Sequence, residues 1–249
     1  MISLKTGREL KIMKEACRIS AGALAAAGKA VEPGVTTAEL DRIAEEYILS
    51  QGGEPNFKNY EGYPATACIS VNNEVIHGIP SAKRRLRAGD IVSIDLGAKF
   101  DGYHGDNAAT FACGDVSAEA KRLMDTTRES LYEGIRAACA GGRVGDIGCA
   151  VQSYVEARGY SVVRQFVGHG VGTHLHEAPE VPNFGVRGRG IRLMPGMTIA
   201  IEPMVNAGGS GVKVLPDGWT VLTTDGSLSA HFEHTVAITA DGPKIMTVI

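Results

Sequence analysis

One phrase of the sequence occurs twice, and this repetition constrains the fold more than any other feature of the chain. Residues 86–96 read LRAGDIVSIDL and residues 193–203 read LMPGMTIAIEP, an offset of 107 positions. Each copy places one carboxylate, Asp95 or Glu202, inside an apolar, β-branched run, where an unpaired charge is costly. The two acids therefore need a compensating partner, and a shared metal centre is the simplest one.

The repeat extends to the helices. Thr6 and Thr36 each begin a capping box, with a glutamate three residues later and apolar residues at helical spacing behind it. Ser117 is the predicted N-cap in the second half, where the offset of 107 pairs Leu40 with Ile147. The pattern predicts two helical hairpins, formed by residues 6–30 with the helix from 36 to the glycines at 52 and 53, and by 117–140 with 146–158.

Strands follow the helices in both halves. The β-branched runs predict outgoing strands, and each leads through a turn region into a return strand that carries a second acid, Asp106 or Glu233. We expect an α+β fold in which two pseudo-symmetric helix-hairpin-plus-sheet halves surround a shared cleft within a single domain. The predicted strands are 91–98 and 102–111 in the first half (roughly 1–112) and 198–205 and 229–238 in the second (113–249).

Four converging carboxylates cannot all remain ionised unless cations offset their repulsion. Two divalent ions would do so, and an oxygen-rich ligand set with one imidazole suits manganese, iron, cobalt or zinc. Two such ions can activate a water and polarise a carbonyl group, so the pattern favours hydrolysis. The predicted ligands are Asp95, Asp106, His169, Glu202 and Glu233.

The histidines divide into two groups. His77 and His169 are each followed by glycine and each precedes an acidic strand, whereas His174 and His176 alternate as residues on one strand face would. Of the latter pair, we expect His174 to be a surface residue. Three further histidines lie beside the acids in sequence, but adjacent strand residues point to opposite faces, so we predict that they lie outside the site. They are His104, His231 and His234.

Composition limits the other function classes. Hydrophobic residues make up 44% of the 249 residues and charged residues 21%, as in ordinary globular proteins. The net charge of −3 predicts no general attraction to nucleic acid or to anionic membranes. The N-terminus lacks the features of a secretory signal, and five cysteines without a Cys-x-x-Cys pair oppose a disulfide framework. We therefore expect a cytoplasmic protein.

At this point a family resemblance is evident. The five predicted ligands, together with the motifs SVNNEVIHGIP, GYHGD, GHGVG and IEP, resemble the type I methionine aminopeptidases of the bacterial kind over nearly the whole chain. The resemblance implies the pita-bread fold and two divalent metal ions. It also implies removal of the initiator methionine from new proteins whose second residue is small.

The resemblance further implies individual roles. Asp95 would bind one ion, Asp106 and Glu233 would bridge both, and His169 and Glu202 would complete the ligand set of the other ion, with Glu202 also carrying a proton. His77 and His176 would contact the substrate near the scissile amide. The methionine pocket would be lined by Phe57, Tyr60, Tyr63, Cys68 and Trp219, with Phe57 and Leu175 departing from the best-known bacterial pattern.

Two alternatives remain open. A prolidase or aminopeptidase P would share the fold and metal ligands, although those relatives usually carry an additional N-terminal domain. A binding protein without catalytic activity, such as a ribosome-associated factor, would be expected to have lost one or more ligands. For the leading interpretation we expect a monomer that acts on the N-terminus of nascent polypeptides and associates transiently with the ribosome.

Overall fold

The computed structural model describes residues 2–249, in which the helices form two pairs. The helices are α1 (Gly7–Lys29), α2 (Thr37–Ser50), α3 (Ala118–Ala137) and α4 (Val144–Glu156). Helix α1 packs on α2 and α3 packs on α4, which confirms the two predicted hairpins. Across residues 2–249, no helix has both the length and the apolar character that crossing a membrane requires.

Both N-terminal helices begin at the capping boxes. The Glu9 backbone N–H donates to Thr6 Oγ1 at 3.3 Å, and the Thr6 N–H donates to Glu9 Oε2 at 2.7 Å. Thr36 and Glu39 repeat the two contacts at 2.7 and 3.2 Å. Because these bonds satisfy amides that have no partner within a helix, the threonine-to-glutamate spacing determines where each helix begins.

The strands form one large sheet and two small ones. They are β1 (Glu54–Pro55), β2 (Ala67–Val71), β3 (Glu74–Ile76), β4 (Ile91–Phe100), β5 (Tyr103–Ala112), β6 (Ser161–Val162), β7 (Gly168–Gly170), β8 (Glu177–Val181), β9 (Thr198–Ile201), β10 (Met204–Asn206), β11 (Val212–Val214), β12 (Val221–Thr223), β13 (Ser229–His231), β14 (Glu233–Thr239) and β15 (Gly242–Ile245). The nine-stranded sheet has the order β1-β4-β5-β14-β9-β7-β8, with β2 paired to β4 and β15 paired to β14. The three-stranded sheets are β13-β10-β6 and β11-β12-β3.

Each helical hairpin covers its own hydrophobic core. Leu40 and Ile147, which the repeat pairs, are both completely buried, one in each core. The core under α1 and α2 includes Ile19, Leu40, Ile48, Ile69 and Ile94. The core under α3 and α4 includes Leu131, Ile147, Val151, Ile199 and Val236. Strands β5 and β14 pair with each other, so the large sheet connects the two halves.

Two strands predicted as continuous in the second half are each divided. Residues 198–205 form β9 and β10 with Glu202 and Pro203 between them, and residues 229–238 lie in β13 and β14 with Phe232 between them. Pro203 has no backbone N–H and cannot continue a ladder. Strands β9 and β14 belong to the large sheet, whereas β10 and β13 belong to a small one. The prediction of continuous strands was wrong, and Glu202 lies where the chain passes between sheets.

Candidate metal centre and active site

Three acidic side chains meet on one face of the neighbouring strands β4, β5 and β14. Ala108 on β5 pairs with Asp95 on β4 and with Glu233 on β14. Asp106 lies two residues before Ala108 and therefore shares that face, because side chains alternate along a strand. The Thr235 hydroxyl accepts from the Asp106 N–H at 3.1 Å and donates to the Asp106 carbonyl at 2.8 Å. The sheet register thus brings acids from both halves of the repeat together.

The other two predicted ligands come from the adjoining strands. Strand β9 pairs with β14 and ends at Ile201, so Glu202 follows it beside Glu233. His169 is the central residue of β7, which pairs with the other edge of β9. Its Nε2 lies 3.8 Å from Asp106 Oδ2 and 3.6 Å from Glu202 Oε1. The five predicted ligands therefore surround one small volume.

Burial opposes ionisation throughout this cluster. It raises the pKa of Asp95 to about 7 and lowers the pKa of His169 to about 3. Burial, followed by repulsion between neighbouring carboxylates, raises the pKa values of Asp106, Glu202 and Glu233 well above their ordinary range. Four buried carboxylates that raise one another's pKa values need a cation if they are all to be ionised at once.

The cluster fits a divalent cation. Asp95 Oδ1, Asp106 Oδ1 and Glu233 Oε1 are buried and have no hydrogen-bond partner, although buried polar atoms are normally paired. One ligand atom from each of Asp106, His169 and Glu233 lies within 4.8 Å of the other two. Carboxylate oxygens with one imidazole match the preferences of manganese, iron, cobalt and zinc. The orphaned oxygens therefore point to metal binding.

A cleft of about 400 Å³ opens beside the acids and leads into an apolar pocket. Cys68 pairs with Asp95 across β2 and β4, so the pocket directly adjoins the acidic cluster. The Tyr63 and Trp219 rings meet edge to face, with centroids 5.1 Å apart. The pocket cluster contains the buried residues Phe57, Tyr63, Ala65, Cys68 and Leu175 and the partly buried Tyr60, Ile79 and Trp219.

His77 and His176 both face the cleft. His176 Nδ1 lies 2.8 Å from Tyr60 Oη, and its ring centroid is 4.2 Å from that of His169. His77 has a φ of 58°, a strained value for a residue with a side chain, so the surrounding structure holds it there. Its ring packs edge-on against Phe166. Burial lowers the pKa of His77 to about 4 and also lowers the pKa of His176, so both rings are neutral at pH 7.

The segment that contains His174 and His176 is not a strand. Residues 172–176 form a bend before β8, so the prediction that both histidines share a strand face was wrong. The Gly172 N–H donates to the His174 carbonyl at 3.1 Å, and the His174 N–H donates to Glu177 Oε1 at 3.2 Å. Such local bonds replace a strand ladder. The bend directs His176 into the cleft and leaves His174 exposed.

Two residues at the site were missed from the sequence. His231 was placed outside the site, but its Nε2 lies 3.7 Å from Glu202 Oε2. The spacing of two from Glu233 was no usable signal, because the chain changes sheet at Phe232 and the same spacing separates His104 from Asp106 on β5 without bringing His104 to the acids. The second missed residue is Phe166, which packs on His77, and nothing in the sequence beyond its aromatic side chain indicates a place at the site. The other two excluded histidines bond elsewhere, His104 Nδ1 with Asn56 at 3.1 Å and His234 Nδ1 with Thr247 at 2.8 Å.

Comparisons with known proteins agree with this arrangement. Metallopeptidase family M24 matches the chain over residues 11–240. A methionine aminopeptidase of Clostridium perfringens is 54% identical over 249 residues, with 100% of both chains covered. The crystal structure of a methionine aminopeptidase from Thermotoga maritima superposes with a TM-score of 0.99 at 44% identity, covering 100% of both chains.

A prolidase from Pyrococcus furiosus is a more distant structural relative. Its TM-score is 0.80 at 26% identity, and the match covers 99% of this chain but 65% of the prolidase. These neighbours confirm the pita-bread fold, and the family accounts for the divalent metal binding indicated by the acidic cluster. The chain belongs to metallopeptidase family M24.

Proposed function

We propose that this protein removes N-terminal methionine by hydrolysing the first peptide bond of nascent proteins and peptides whose second residue is small. The observation that carries this proposal is the junction between a carboxylate-rich cluster suited to a cation and an apolar pocket, at the paired residues Asp95 and Cys68. The full-length likeness to proteins named methionine aminopeptidase supports the same substrate class.

The pocket suits an unbranched apolar side chain. Phe57 and Leu175 are 8% and 2% exposed and supply apolar walls. The Tyr63 hydroxyl donates to the carbonyls of Ala67 and Gly78 at 3.1 and 3.0 Å, which fixes the position of a third wall. A flexible, polarisable thioether adapts well to a pocket of this kind. The substrate methionine would place its side chain here and its first peptide bond beside the acids.

The proposed cofactor is a pair of divalent ions of cobalt, manganese, iron or zinc. Two ions offset four carboxylates better than one, since a single divalent ion leaves a net negative charge in a buried site. The ligands would be Asp95, Asp106, His169, Glu202 and Glu233. When bound, the ions would supply an activated water and polarise the scissile carbonyl.

The protein side chains would handle protons and orientation. Tyr60 Oη forms a hydrogen bond with His176 Nδ1, which leaves His176 Nε2 free to contact the substrate. His77 and His176 are neutral, so each can donate one N–H to oxygen that gains charge during the reaction. Glu202 lines the cleft beside the acids, where its carboxylate would accept a proton from the attacking water and pass it to the leaving amine.

The proposed partner is the N-terminus of a nascent polypeptide, reached during a transient association with the ribosome. We further propose a monomer located in the cytoplasm, in keeping with the family resemblance. The net charge of −3 gives no general attraction to nucleic acid, in keeping with a protein that has no nucleic-acid site of its own.

Peptide cleavage tests the proposed function directly. The purified protein, loaded in turn with Mn²⁺, Fe²⁺ and Co²⁺, is incubated with Met-Ala, Met-Gly, Leu-Ala and Ala-Pro peptides, and released amino acids are quantified by chromatography. We expect free methionine from the first two peptides and little product from the others. Absence of cleavage with every metal would contradict the proposal, and preferred cleavage of Ala-Pro would indicate prolidase activity instead.

A further inference from the structure

His231 is a buried histidine whose ring has no hydrogen-bond partner. Its exposed fraction is 1%, and neither Nδ1 nor Nε2 is paired, whereas buried polar groups are nearly always paired. The main chain of the same residue is firmly held. Its N–H donates to Thr110 Oγ1 and its carbonyl accepts from that hydroxyl, both at 2.9 Å. The backbone therefore fixes where the ring lies, and the ring needs a partner there.

The neighbour available to the ring is Glu202. His231 Nε2 lies 3.7 Å from Glu202 Oε2, while the other oxygen, Oε1, lies 3.6 Å from His169 Nε2. The carboxylate therefore stands between two imidazoles. His169 lines the cleft, whereas His231 lies behind Glu202, away from the cleft. One carboxylate oxygen of Glu202 therefore faces the cleft, and the other faces the protein interior.

The strand break explains why Glu202 needs support. Glu202 and Pro203 lie between β9 and β10, so no ladder bond orients this residue as the β4–β5 ladder orients Asp95. Asn183 Nδ2 donates to the Glu202 carbonyl at 2.9 Å, which holds the main chain but leaves the carboxylate without a donor. Strand β13 pairs with β10 at Met204 and His231, which brings the histidine to the far side of the break. Residues behind a metal ligand commonly fix its orientation through a hydrogen bond.

We propose that His231 is a positioning residue whose Nε2–H holds Glu202 Oε2, so that Oε1 remains directed toward His169 and the metal centre. A neutral imidazole carries one N–H, and this role assigns it to Nε2. The present separation exceeds a hydrogen bond by roughly 0.5 to 1 Å, which a small rotation of the carboxylate would close. The inference rests on the proposed function, because it takes Glu202 to be a metal ligand.

Cobalt binding tests the role of His231. Wild-type, His231→Leu, His231→Gln and the matched control His234→Leu are titrated with Co²⁺ by calorimetry, and the visible spectrum of the cobalt-loaded protein is recorded. We expect His231→Leu to weaken cobalt binding by roughly 10- to 100-fold and to change the spectrum. His231→Gln retains an N–H donor and should remain close to wild type, as should His234→Leu, whose histidine bonds Thr247 instead.

A folded His231→Leu protein with wild-type cobalt affinity and spectrum would overturn the inference. The wild-type titration keeps this outcome distinct from a failure of the proposed function, since absence of cobalt binding there would contradict the metal centre itself. If His231→Leu does not fold, the inference is tested by the tautomer of the His231 ring in the wild-type protein. Nitrogen-15 spectra of histidine-labelled, zinc-loaded protein should show the proton of His231 on Nε2, and a proton on Nδ1 alone would overturn the inference.

Discussion

Asp95 and Glu233 face the same residue, Ala108, from the two strands that flank β5. Asp95 belongs to the first half of the repeat and Glu233 to the second. The candidate metal centre therefore forms only when β5 pairs on both edges, and bound cations would stabilise the junction between the halves. Folding and metal binding are coupled in such a site, because the unfolded chain does not present the ligands together.

Asp106→Asn should raise the stability of the metal-free protein while it weakens metal binding. The change keeps the side-chain volume but replaces an ionisable group, whose pKa burial and then repulsion raise well above its ordinary range, with a neutral amide, so folding no longer has to suppress ionisation at this position. Without metal at pH 7, we expect the variant to be more stable than wild type by about 1 kcal/mol or more, measured by urea unfolding in EDTA. Its Mn²⁺ affinity should fall at least tenfold and its peptidase activity should be lost.

Asp115→Asn is the matched control for this change, because Asp115 is exposed and lies outside the cluster. It should leave stability, metal affinity and activity near wild-type values. An Asp106→Asn protein that is less stable than wild type in EDTA would contradict the claim that burial and repulsion penalise the Asp106 carboxyl in the metal-free cluster.

Metal binding should release protons at mildly acidic pH. The raised pKa of Asp95, about 7, keeps this carboxyl largely protonated at pH 6 in the metal-free protein, whereas a ligand must be ionised. Manganese affinity should therefore rise with pH from 6 to 8. Calorimetry in buffers of different ionisation enthalpy should show at least one proton released at pH 6, and binding without proton release at that pH would contradict the raised pKa.

Phe57→Ala should relax the specificity of the pocket. The Phe57 ring is 8% exposed and forms one wall, so its removal leaves space for larger side chains. We expect the ratio of kcat/KM for Met-Ala over Phe-Ala peptides to fall about tenfold or more, since a pocket contact of this size contributes on the order of 1–3 kcal/mol to discrimination. Phe184→Ala, at the separate contact with Arg164, serves as the control. An unchanged ratio in Phe57→Ala would place the methionine side chain elsewhere.

Lys5 and Glu177 form a buried ion pair that supports the bend carrying His176. Lys5 Nζ lies 2.6 Å from Glu177 Oε2, with side-chain exposures of 3% and 10%. Lys5→Met leaves the carboxylate unpaired and should destabilise the protein by about 3 kcal/mol, with a higher KM. Glu177→Gln in the same protein removes that unpaired charge and should restore part of the stability in urea unfolding. Additive losses in the double variant would contradict the pairing.

Most of the framework could be predicted from the sequence, because helices and strands share a single offset. The capping boxes at Thr6 and Thr36 located the first two helices, and the paired positions Leu40 and Ile147 located equivalent core residues. Such signals are local, so they persist whatever the tertiary arrangement. The pocket residues had no such local pattern and came from the family resemblance.

The features that the sequence did not predict depend on tertiary pairing. The second copy of the repeat reads like a continuous strand, but Pro203 and the change of partner sheet divide it. The bend at 172–176 forms through bonds to Glu177 that no periodicity reveals. His231 was missed for the same reason, since its place beside Glu202 depends on the pairing of β13 with β10 in the small sheet.

A crystal structure of the protein with Mn²⁺ and methionine tests the central claim most directly. The claim predicts two anomalous peaks among the five ligands, Asp95, Asp106, His169, Glu202 and Glu233. It also predicts the methionine side chain in the apolar pocket, between Phe57, Tyr63 and Leu175. Manganese bound outside the acidic cluster, or a methionine side chain outside the pocket, would contradict it.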